Sequence, residues 1–416
     1  MITQRIQQAR EDFDLTNSSH QQSVKELAEC FLHEQDLDSV IEAVRAPGTP
    51  LEARMAGLLA QSRHWMLGNK QPLKIAVVFA MWGEHNRLLP NSESNPHGEN
   101  SLVTKLEQLD WACRDTPVDW HIYAVDDGCP HGSGDIAREV ATGHALGQKV
   151  TVLSLADALP AMDGPLKALA SADDSRKAGA IILGAMHAID DGADAVIYTD
   201  ADNSVHLGQI GILLEPAVER KVPVVLGNRK HPDSVLVKEG ARWGIGIKVL
   251  RHMQRMIGHA VFSQGILDTQ AAFKLYRSDV LADIISEPTV YDFSFDTDWI
   301  LASLKQGLAI EQVPFAFIDS AAESASITQG PMTTWETLLF GLEQQVRKYG
   351  LAQEDAAEMA AVLREEIKGH EDLDQLIDHL PEELEKADEA HLGDPGVMSP
   401  ASLRIWIQER LAQSPV

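Results

Sequence analysis

Residues 195–205 read AVIYTDADNSV, and this stretch decides the fold. Its first five residues are apolar or β-branched, as expected of a strand that is buried on both faces of a sheet. Two carboxylates, Asp200 and Asp202, follow with one residue between them. Burying like charges side by side is costly unless they share a cation. The stretch therefore predicts a buried strand that ends in a carboxylate pair.

Short apolar runs of the same kind occur on both sides of this stretch. Helical patterns lie between them, for example over residues 175–192 and 296–307. Alternating strands and helices predict a mostly parallel sheet covered on both faces, with ligands at the carboxyl ends of the strands. The predicted strands cover residues 74–81, 119–127, 149–155, 194–202, 223–229 and 309–317.

The two ends of the chain have a different pattern. Residues 24–35 and 36–46 space their apolar side chains as amphipathic helices do, and APGTP (46–50) breaks the helical pattern. Residues 351–416 also read as helices and carry five basic and 16 acidic side chains. We therefore expect an N-terminal helical extension over 1–73, an α/β domain over 74–330 and an acidic C-terminal helical extension over 331–416.

The overall charge excludes one class of partner. The 416 residues include 35 basic and 62 acidic side chains, a net charge of −27 with His neutral. Binding to a nucleic acid backbone needs clustered Lys and Arg, so no nucleic acid partner is expected. Residues 229–259 depart from this balance, with seven basic and two acidic side chains. This basic island predicts a solvated helix face, a diphosphate clamp or a patch for an anionic acceptor.

Cysteine usage and hydropathy indicate a reducing, aqueous compartment. Cys30, Cys113 and Cys129 are too few for a disulfide framework and lack the spacing of a zinc site. Residues 1–14 are polar where a signal peptide would be apolar, and no stretch of 18 apolar residues occurs. We expect a cytoplasmic protein without a transmembrane segment.

The carboxylate pair of Asp200 and Asp202 is a candidate metal site. Mg²⁺ and Mn²⁺ prefer oxygen ligands and complete their shells with water and substrate phosphates. The alternative is structural, because Asp commonly caps helices and ends strands. His206 follows four residues later and would either complete a metal shell or be a hydrogen-bonded bystander. The pair predicts a bound Mg²⁺ or Mn²⁺.

Seven segments carry a family resemblance through their order and spacing. They are VVFAMWGEHNRL (77–88), YAVDDGCPHGSGDIA (123–137), RKAGAIILGAMHA (176–188), AVIYTDADNSV (195–205), VVLGNRKH (224–231), GILDTQAAFKLYRSDV (265–280) and FSFDTDWILASLKQGLAIEQVP (293–314). The series resembles the family 2 glycosyltransferases, most of all the dolichyl-phosphate glucose and mannose synthases. The resemblance implies a Rossmann-like GT-A fold, a catalytic domain over 74–330 and a nucleotide-sugar donor.

The resemblance also assigns residues to the donor side of the site. It implies that Asp200 and Asp202 hold the divalent cation on the donor diphosphate, with Asp202 the more direct ligand. Arg229 matches a basic residue that faces phosphate. The other donor residues that it implies are Glu84, Asp126, Asp127 and Lys177.

On the acceptor side, the resemblance implies a pocket and an acidic pair. An inverting reaction on a hydroxyl needs a carboxylate that takes its proton while the oxygen attacks the anomeric carbon, and Asp298 or Asp296 is the predicted base. Each is alternatively a first-turn acid that interacts with the helix dipole. A phosphate acceptor would need no strong base. The pocket residues are Asp268, Thr269 and Gln270, with Phe273 beside them.

Departures from the lipid-phosphate synthases favour a soluble acceptor. Residues 318–330, IDSAAESASITQG, lack the Arg and Lys that in those synthases meet the lipid phosphate, and Ser204 replaces an amide. We predict transfer to a small metabolite or sugar. One rival is a peripheral polyprenyl-phosphate glycosyltransferase that uses residues 241–262 as a basic membrane helix. Another rival is a non-catalytic nucleotide-binding scaffold. The helical flanks also offer surfaces for a homo-oligomer.

Overall fold

Strands form at the apolar, β-branched runs of the sequence. The computed structural model describes residues 2–238, 244–319 and 331–413. Within them, the main sheet contains β1 (Leu73–Met81), β2 (Val118–Asp126), β3 (Val150–Ser154), β4 (Ala195–Thr199), β5 (Val224–Gly227), β7 (Phe273–Arg277) and β8 (Ile310–Val313). A second, two-stranded parallel sheet pairs β6 (Val235–Val237) with β9 (Ala316–Ile318).

The order of the main sheet is β3-β2-β1-β4-β7-β5-β8. β7 is antiparallel to both of its neighbours, and the other neighbouring pairs are parallel. The sheet is thus mixed and mostly parallel, and helices cover it. This arrangement, with helical segments before and after it, confirms the predicted fold class.

Three strand predictions need correction. β4 ends at Thr199 rather than at residue 202, so the carboxylate pair lies in the loop that follows. The run at 309–317 forms two strands, because Pro314 has no N–H to continue the ladder. β6 and β7 were not among the predicted strands, although β7 pairs with β4 over Ala195–Thr199.

The described residues divide into two units. Unit 1 is drawn from Met1–Glu239, Ala271–Glu287 and Leu308–Ala322, and unit 2 from Gly240–Gln270, Pro288–Gly307 and Glu323–Val416. The domain bounds inferred from the sequence stay a prediction. The helices of unit 1 are α1 (Ile2–Gln8), α2 (Ser18–Leu32), α3 (Leu37–Arg45), α4 (Leu51–Gly68), α5 (Ser101–Cys113), α6 (Ser133–Gly143), α7 (Ala178–Asp190), α8 (Ile210–Glu219) and α11 (Ser278–Ile284). Those of unit 2 are α9 (Ile247–Ile257), α10 (His259–Phe262), α12 (Phe295–Lys305), α13 (Pro331–Tyr349), α14 (Glu354–Glu366), α15 (His370–Leu376), α16 (Glu382–Lys386) and α17 (Pro400–Gln413).

The N-terminal helices share one hydrophobic core with the sheet. Phe31 of α2 and Leu59 of α4 are fully buried in the same cluster as Val77 of β1 and Ile197 of β4. Helix α4 also packs closely against α8. A Cβ added at Gly211 of α8 would lie only 2.4 Å from the Ser62 carbonyl oxygen of α4. The N-terminal segment is therefore built into unit 1.

A buried histidine lies where α4 and α5 meet the turn before α8. His206 is fully buried, and its Nδ1 accepts a hydrogen bond of 2.9 Å from the Gly208 N–H. Burial lowers the pKa of His206 to about 3. The ring is therefore neutral in the folded protein.

The shared core predicts a large cost for truncating α4. We expect Leu59→Ala to lower the free energy of unfolding by about 2–5 kcal/mol, because it removes buried methyl groups and leaves a cavity. Leu67→Ala is the matched control, since Leu67 lies in the same helix and is 40% exposed. Urea unfolding measures both. Equal small effects would contradict a shared core.

His206 predicts a loss of stability in acid. Its pKa is lower in the folded state than the unfolded value of about 6.5, so the unfolded state binds the extra proton. The contribution of His206 to the free energy of unfolding is complete above pH 6.5 and falls by roughly 1 kcal/mol per pH unit below that. Urea unfolding between pH 5 and 8 should show a weaker slope for His206→Asn than for wild type. His97→Asn, at an exposed position, should keep the wild-type slope.

Candidate functional site

Polar side chains follow three neighbouring parallel strands of unit 1. Glu84 comes after β1, Asp126 ends β2 with Asp127 next to it, and Asp200 comes after β4. Because β2, β1 and β4 are adjacent and parallel, their carboxyl ends lie along one edge of the sheet. This edge holds the predicted donor-side acids.

Asp126 closes the turn that follows its own strand. Its Oδ1 accepts a hydrogen bond from the Cys129 N–H and its Oδ2 one from the Gly134 N–H, both at 2.7 Å. A Cβ at Gly134 would lie 2.5 Å from Asp126 Oδ2, so a larger residue there would displace this carboxylate. Cys129 lies in this loop, where its sulfur accepts a hydrogen bond from the Gly83 N–H. The Asp126 carboxylate therefore shapes the loop next to the site.

Lys177 joins the ends of β2 and β4. Its backbone N–H donates to Asp127 Oδ2 at 2.7 Å, and its ammonium pairs with Asp200 Oδ1. Its φ of 91° is uncommon for any residue except glycine, and such strain persists only where surrounding contacts enforce it. Asp127 is buried, and burial raises its pKa to about 6.

The carboxylate pair shows the strain expected of two nearby like charges. Burial, followed by the charge of Asp200, raises the pKa of Asp202. Burial also acts to raise the pKa of Asp200, but the Lys177 ammonium outweighs it, so this pKa is lowered. Asp202 Oδ1 accepts from the Ser204 N–H at 3.0 Å. The two acids therefore differ: Asp200 has a resident cation and Asp202 is the more strained anion.

Sequence reasoning missed a buried charged set behind this pair. Lys105 is fully buried on α5 and donates to the Asp202 carbonyl oxygen. Glu99 accepts from the Asn203 N–H at 2.9 Å, and Arg87 pairs with Glu99 at 3.1 Å and with Glu84 at 2.9 Å. One signal was available: Lys105 occupies an apolar-stripe position between Leu102 and Leu109 of its helix.

Burial affects the pKa values of this set in opposite directions. Burial lowers the pKa of the Lys105 ammonium, although Asp202 opposes the effect. Burial raises the pKa of Glu84, against the attraction of Arg87. For Arg87 the neighbouring carboxylates, Glu84 first, outweigh burial and raise the pKa. These paired carboxylates and cations thus hold the loop that follows β4 in place.

Arg229 lies in the loop that follows β5. Its guanidinium stacks 5.2 Å from the centre of the Phe317 ring. The loop is held by Ser234, whose hydroxyl donates to the Asn228 carbonyl oxygen at 2.6 Å, and by Arg54 of α4, which donates to the Ser234 carbonyl oxygen at 3.3 Å. An N-terminal helix therefore supports the loop that carries this predicted phosphate-facing residue.

The predicted acceptor-side acids lie in unit 2. Asp298, in the first turn of α12, is buried; its Oδ2 accepts from the Thr289 N–H and its Oδ1 from the Tyr349 hydroxyl, both at 3.0 Å. Asp296 in the same turn is also buried. Both oxygens of Asp298 thus tie α12 to neighbouring segments, which favours a structural role for Asp298. The pocket residues Asp268 and Thr269 are buried, and Gln270 is partly exposed.

The basic island is occupied by the acidic tail within unit 2. Lys248 donates to three carbonyl oxygens at the end of α16 and after it, and Arg251 and Arg255 both pair with Glu389. The apolar residues of α9, among them Val249, are buried. The basic side chains of α9 therefore form no open cationic patch. Arg242 and Trp243 lie outside the described residues, as do residues 320–330.

The donor set at the strand ends fits Mg²⁺ or Mn²⁺ bound together with a phosphate ligand. Within the described residues, no group of three or more His, Cys, Asp or Glu side chains is arranged to hold a metal ion by itself. Mg²⁺ usually takes only one or two protein carboxylates and obtains its other ligands from water and substrate phosphates. Asp200 and Asp202 match that requirement. In the described parts of the chain, His206 does not join these two acids in a group of three side chains that could hold a metal ion.

No helix in the described parts of the chain is both long and apolar enough to cross a membrane.

Solved structures that superpose in part on this chain include two phosphoglycerate glycosyltransferases. Mannosyl-3-phosphoglycerate synthase from Rubrobacter xylanophilus is 16% identical, with a TM-score of 0.47 over 72% of this chain and 80% of that one. Glucosyl-3-phosphoglycerate synthase from Mycobacterium tuberculosis, in complex with Mn²⁺, UDP and glucosyl-3-phosphoglycerate, is 12% identical, with a TM-score of 0.45 over 71% and 86% of the two chains.

Two curated relatives and one family model each match part of this chain. Undecaprenyl-phosphate mannosyltransferase of Micrococcus luteus is 23% identical over 218 residues, which is 52% of this chain and 79% of the relative. Polyprenol monophosphomannose synthase of Mycolicibacterium smegmatis is 26% identical over 200 residues, 48% and 67% of the two chains. Residues 103–285 match the family described as Glycosyl transferase family 2, and this match confirms the predicted resemblance to that family and the predicted enzyme class.

Proposed function

We propose that this protein transfers a hexosyl group from a nucleotide-diphosphate sugar to a soluble acceptor, with Mg²⁺ or Mn²⁺ on the donor diphosphate. The observation that carries the proposal is Lys177, which links the acids of two strand ends through Asp127 and Asp200. Such an edge of carboxylates and cations suits a diphosphate leaving group. The family match supports the reaction class.

The carboxylate pair has the role of cation ligand in this proposal. Asp202 is the more direct ligand, because burial and the neighbouring Asp200 charge disfavour its ionised form and a bound cation would relieve this. When bound, the divalent cation would neutralise the negative charge that develops on the departing diphosphate. The buried Lys105 and Glu99 keep the loop that carries both acids in place.

The other donor-side residues orient the nucleotide and its phosphates. Glu84 and Asp126 lie at adjacent strand ends, where the base and ribose would bind. Asp127 acts on the donor through Lys177, whose backbone it holds. Arg229, partly exposed in its supported loop, offers a guanidinium to phosphate oxygens.

On the acceptor side, Asp296 and Asp298 are the candidates for the general base. Asp298 accepts a hydrogen bond at each oxygen, from the Thr289 N–H and the Tyr349 hydroxyl. In an inverting transfer the acceptor oxygen attacks the anomeric carbon, its proton passes to the carboxylate, and the bond to the diphosphate oxygen breaks. Asp268, Thr269 and Gln270 remain the proposed pocket for the sugar and acceptor.

The state of the basic island supports a soluble acceptor. The rival use of residues 241–262 as a membrane helix needs an apolar face that meets lipid and free basic groups that meet headgroups. In unit 2, helix α9 instead buries its apolar face, and Glu389 pairs with Arg251 and Arg255.

The second candidate, transfer to a polyprenyl phosphate, is favoured by the names of the two curated relatives.

Replacing the proposed metal ligand should abolish metal-dependent donor binding. We expect Mn²⁺ with UDP or GDP to raise the melting temperature of the wild type and not that of Asp202→Asn, and we expect turnover of the matching nucleotide sugar to fall on the order of 100-fold. Asp135→Asn is the control, because its side chain is 83% exposed. A variant with wild-type turnover and metal response would contradict the role of Asp202.

The acceptor class is testable by flotation and product partitioning. We expect the protein to remain at the bottom of a density gradient with vesicles of phosphatidylglycerol and phosphatidylcholine, and labelled sugar to enter water-soluble products of a cell extract. Co-flotation, together with transfer of label into an organic phase that contains polyprenyl phosphate, would favour the second candidate.

A further inference from the structure

Charged side chains of both signs interact at the strand ends of unit 1. Four carboxylates, Glu84, Glu99, Asp200 and Asp202, interact electrostatically with four cationic side chains. Asp126 and Asp127 are instead held by backbone N–H groups. The four cations are Arg87, Lys105, Lys177 and Arg229.

The ion pair of Lys177 and Asp200 is an accessible part of this cluster. The Lys177 side chain is 20% exposed and that of Asp200 is 38% exposed. Lys105 is fully buried, and the Arg87 side chain is only 7% exposed. A ligand at the edge of the sheet therefore reaches the Lys177 ammonium while the cations behind the pair stay enclosed.

The backbone of Lys177 is fixed independently of its ammonium. Its N–H donates to Asp127, and Lys177 is the N-cap residue of α7, with a φ of 91°. The Nζ lies four methylene groups beyond this anchor, so it can leave Asp200 for another anion without any change in the backbone. A phosphate oxygen is such an anion, because an ammonium group binds it through charge-assisted hydrogen bonds.

We propose that Lys177 is the resident counter-ion of Asp200 in the metal-free enzyme, and that it releases Asp200 to the divalent cation only as it takes up the donor diphosphate. Metal and nucleotide therefore bind together, and metal alone binds weakly. The two charges that the metal adds are compensated by those that the diphosphate brings. This inference rests on the proposed function, because it assumes a diphosphate donor.

The test measures Mn²⁺ binding by calorimetry with no nucleotide present. In Lys177→Met and Lys177→Gly, we expect the Mn²⁺ dissociation constant to fall at least 10-fold relative to wild type, since a positive charge that competes for Asp200 has been removed. The glycine variant also accommodates the positive φ, so it keeps the test valid if the methionine variant folds poorly. Lys167→Met, at an exposed position of the preceding loop, should bind Mn²⁺ as the wild type does.

The same titration with saturating UDP or GDP measures coupling. Wild type should bind Mn²⁺ at least 10-fold more tightly with the nucleotide than without it, and the Lys177 variants should lose most of that gain. Unchanged Mn²⁺ affinity in both nucleotide-free variants would overturn the inference, even if nucleotide binds. Raised Mn²⁺ affinity in the variants, with no nucleotide binding by the wild type, would support the counter-ion role while the proposed donor function fails.

Discussion

The arrangement of unit 1 depends on holding several carboxylates together at one edge of a sheet. Desolvating acids is costly, and each acid here has a partner that offsets the cost. Asp126 and Asp127 accept from backbone N–H groups, whereas Asp200 is paired with an ammonium. Lys177 serves both kinds of contact at once. Its backbone conformation is uncommon for a non-glycine residue, and the two strand ends that it joins explain why the fold maintains it.

The N-terminal helices are part of the same solution. They bury their apolar faces in the core that β1 and β4 also fill, and α4 reaches the loop after β5 through Arg54. On the opposite side of that loop, Asn228 donates to Gln312 at 3.1 Å. A loop that presents a cation to a phosphate needs such support, because an unsupported Arg would lose its orientation. The helices thus contribute to the site without supplying any of its predicted ligands.

The sequence predicted the parts of the fold that have a local signal. Buried strands such as β1 and β4 are continuous apolar runs, and APGTP separates α3 from α4 as expected. The acids at strand ends were predicted because they follow those runs directly. Lys105 and Glu99 were missed because their backbone partners in the loop after β4 lie 97 and 104 residues away along the chain. β7 was missed because its antiparallel insertion between β4 and β5 depends on pairing and not on local pattern.

The basic island shows why one helical pattern fits two environments. A helix with one apolar and one basic face has the same sequence whether lipid or protein covers it. In α9 the apolar face is buried in unit 2, while the Lys248 ammonium caps the end of α16 and Glu389 neutralises two arginines. The acidic tail that accounts for much of the net charge is therefore the partner of the most basic segment. This pairing satisfies α9 within unit 2, so the basic face of this helix is explained by protein contacts alone.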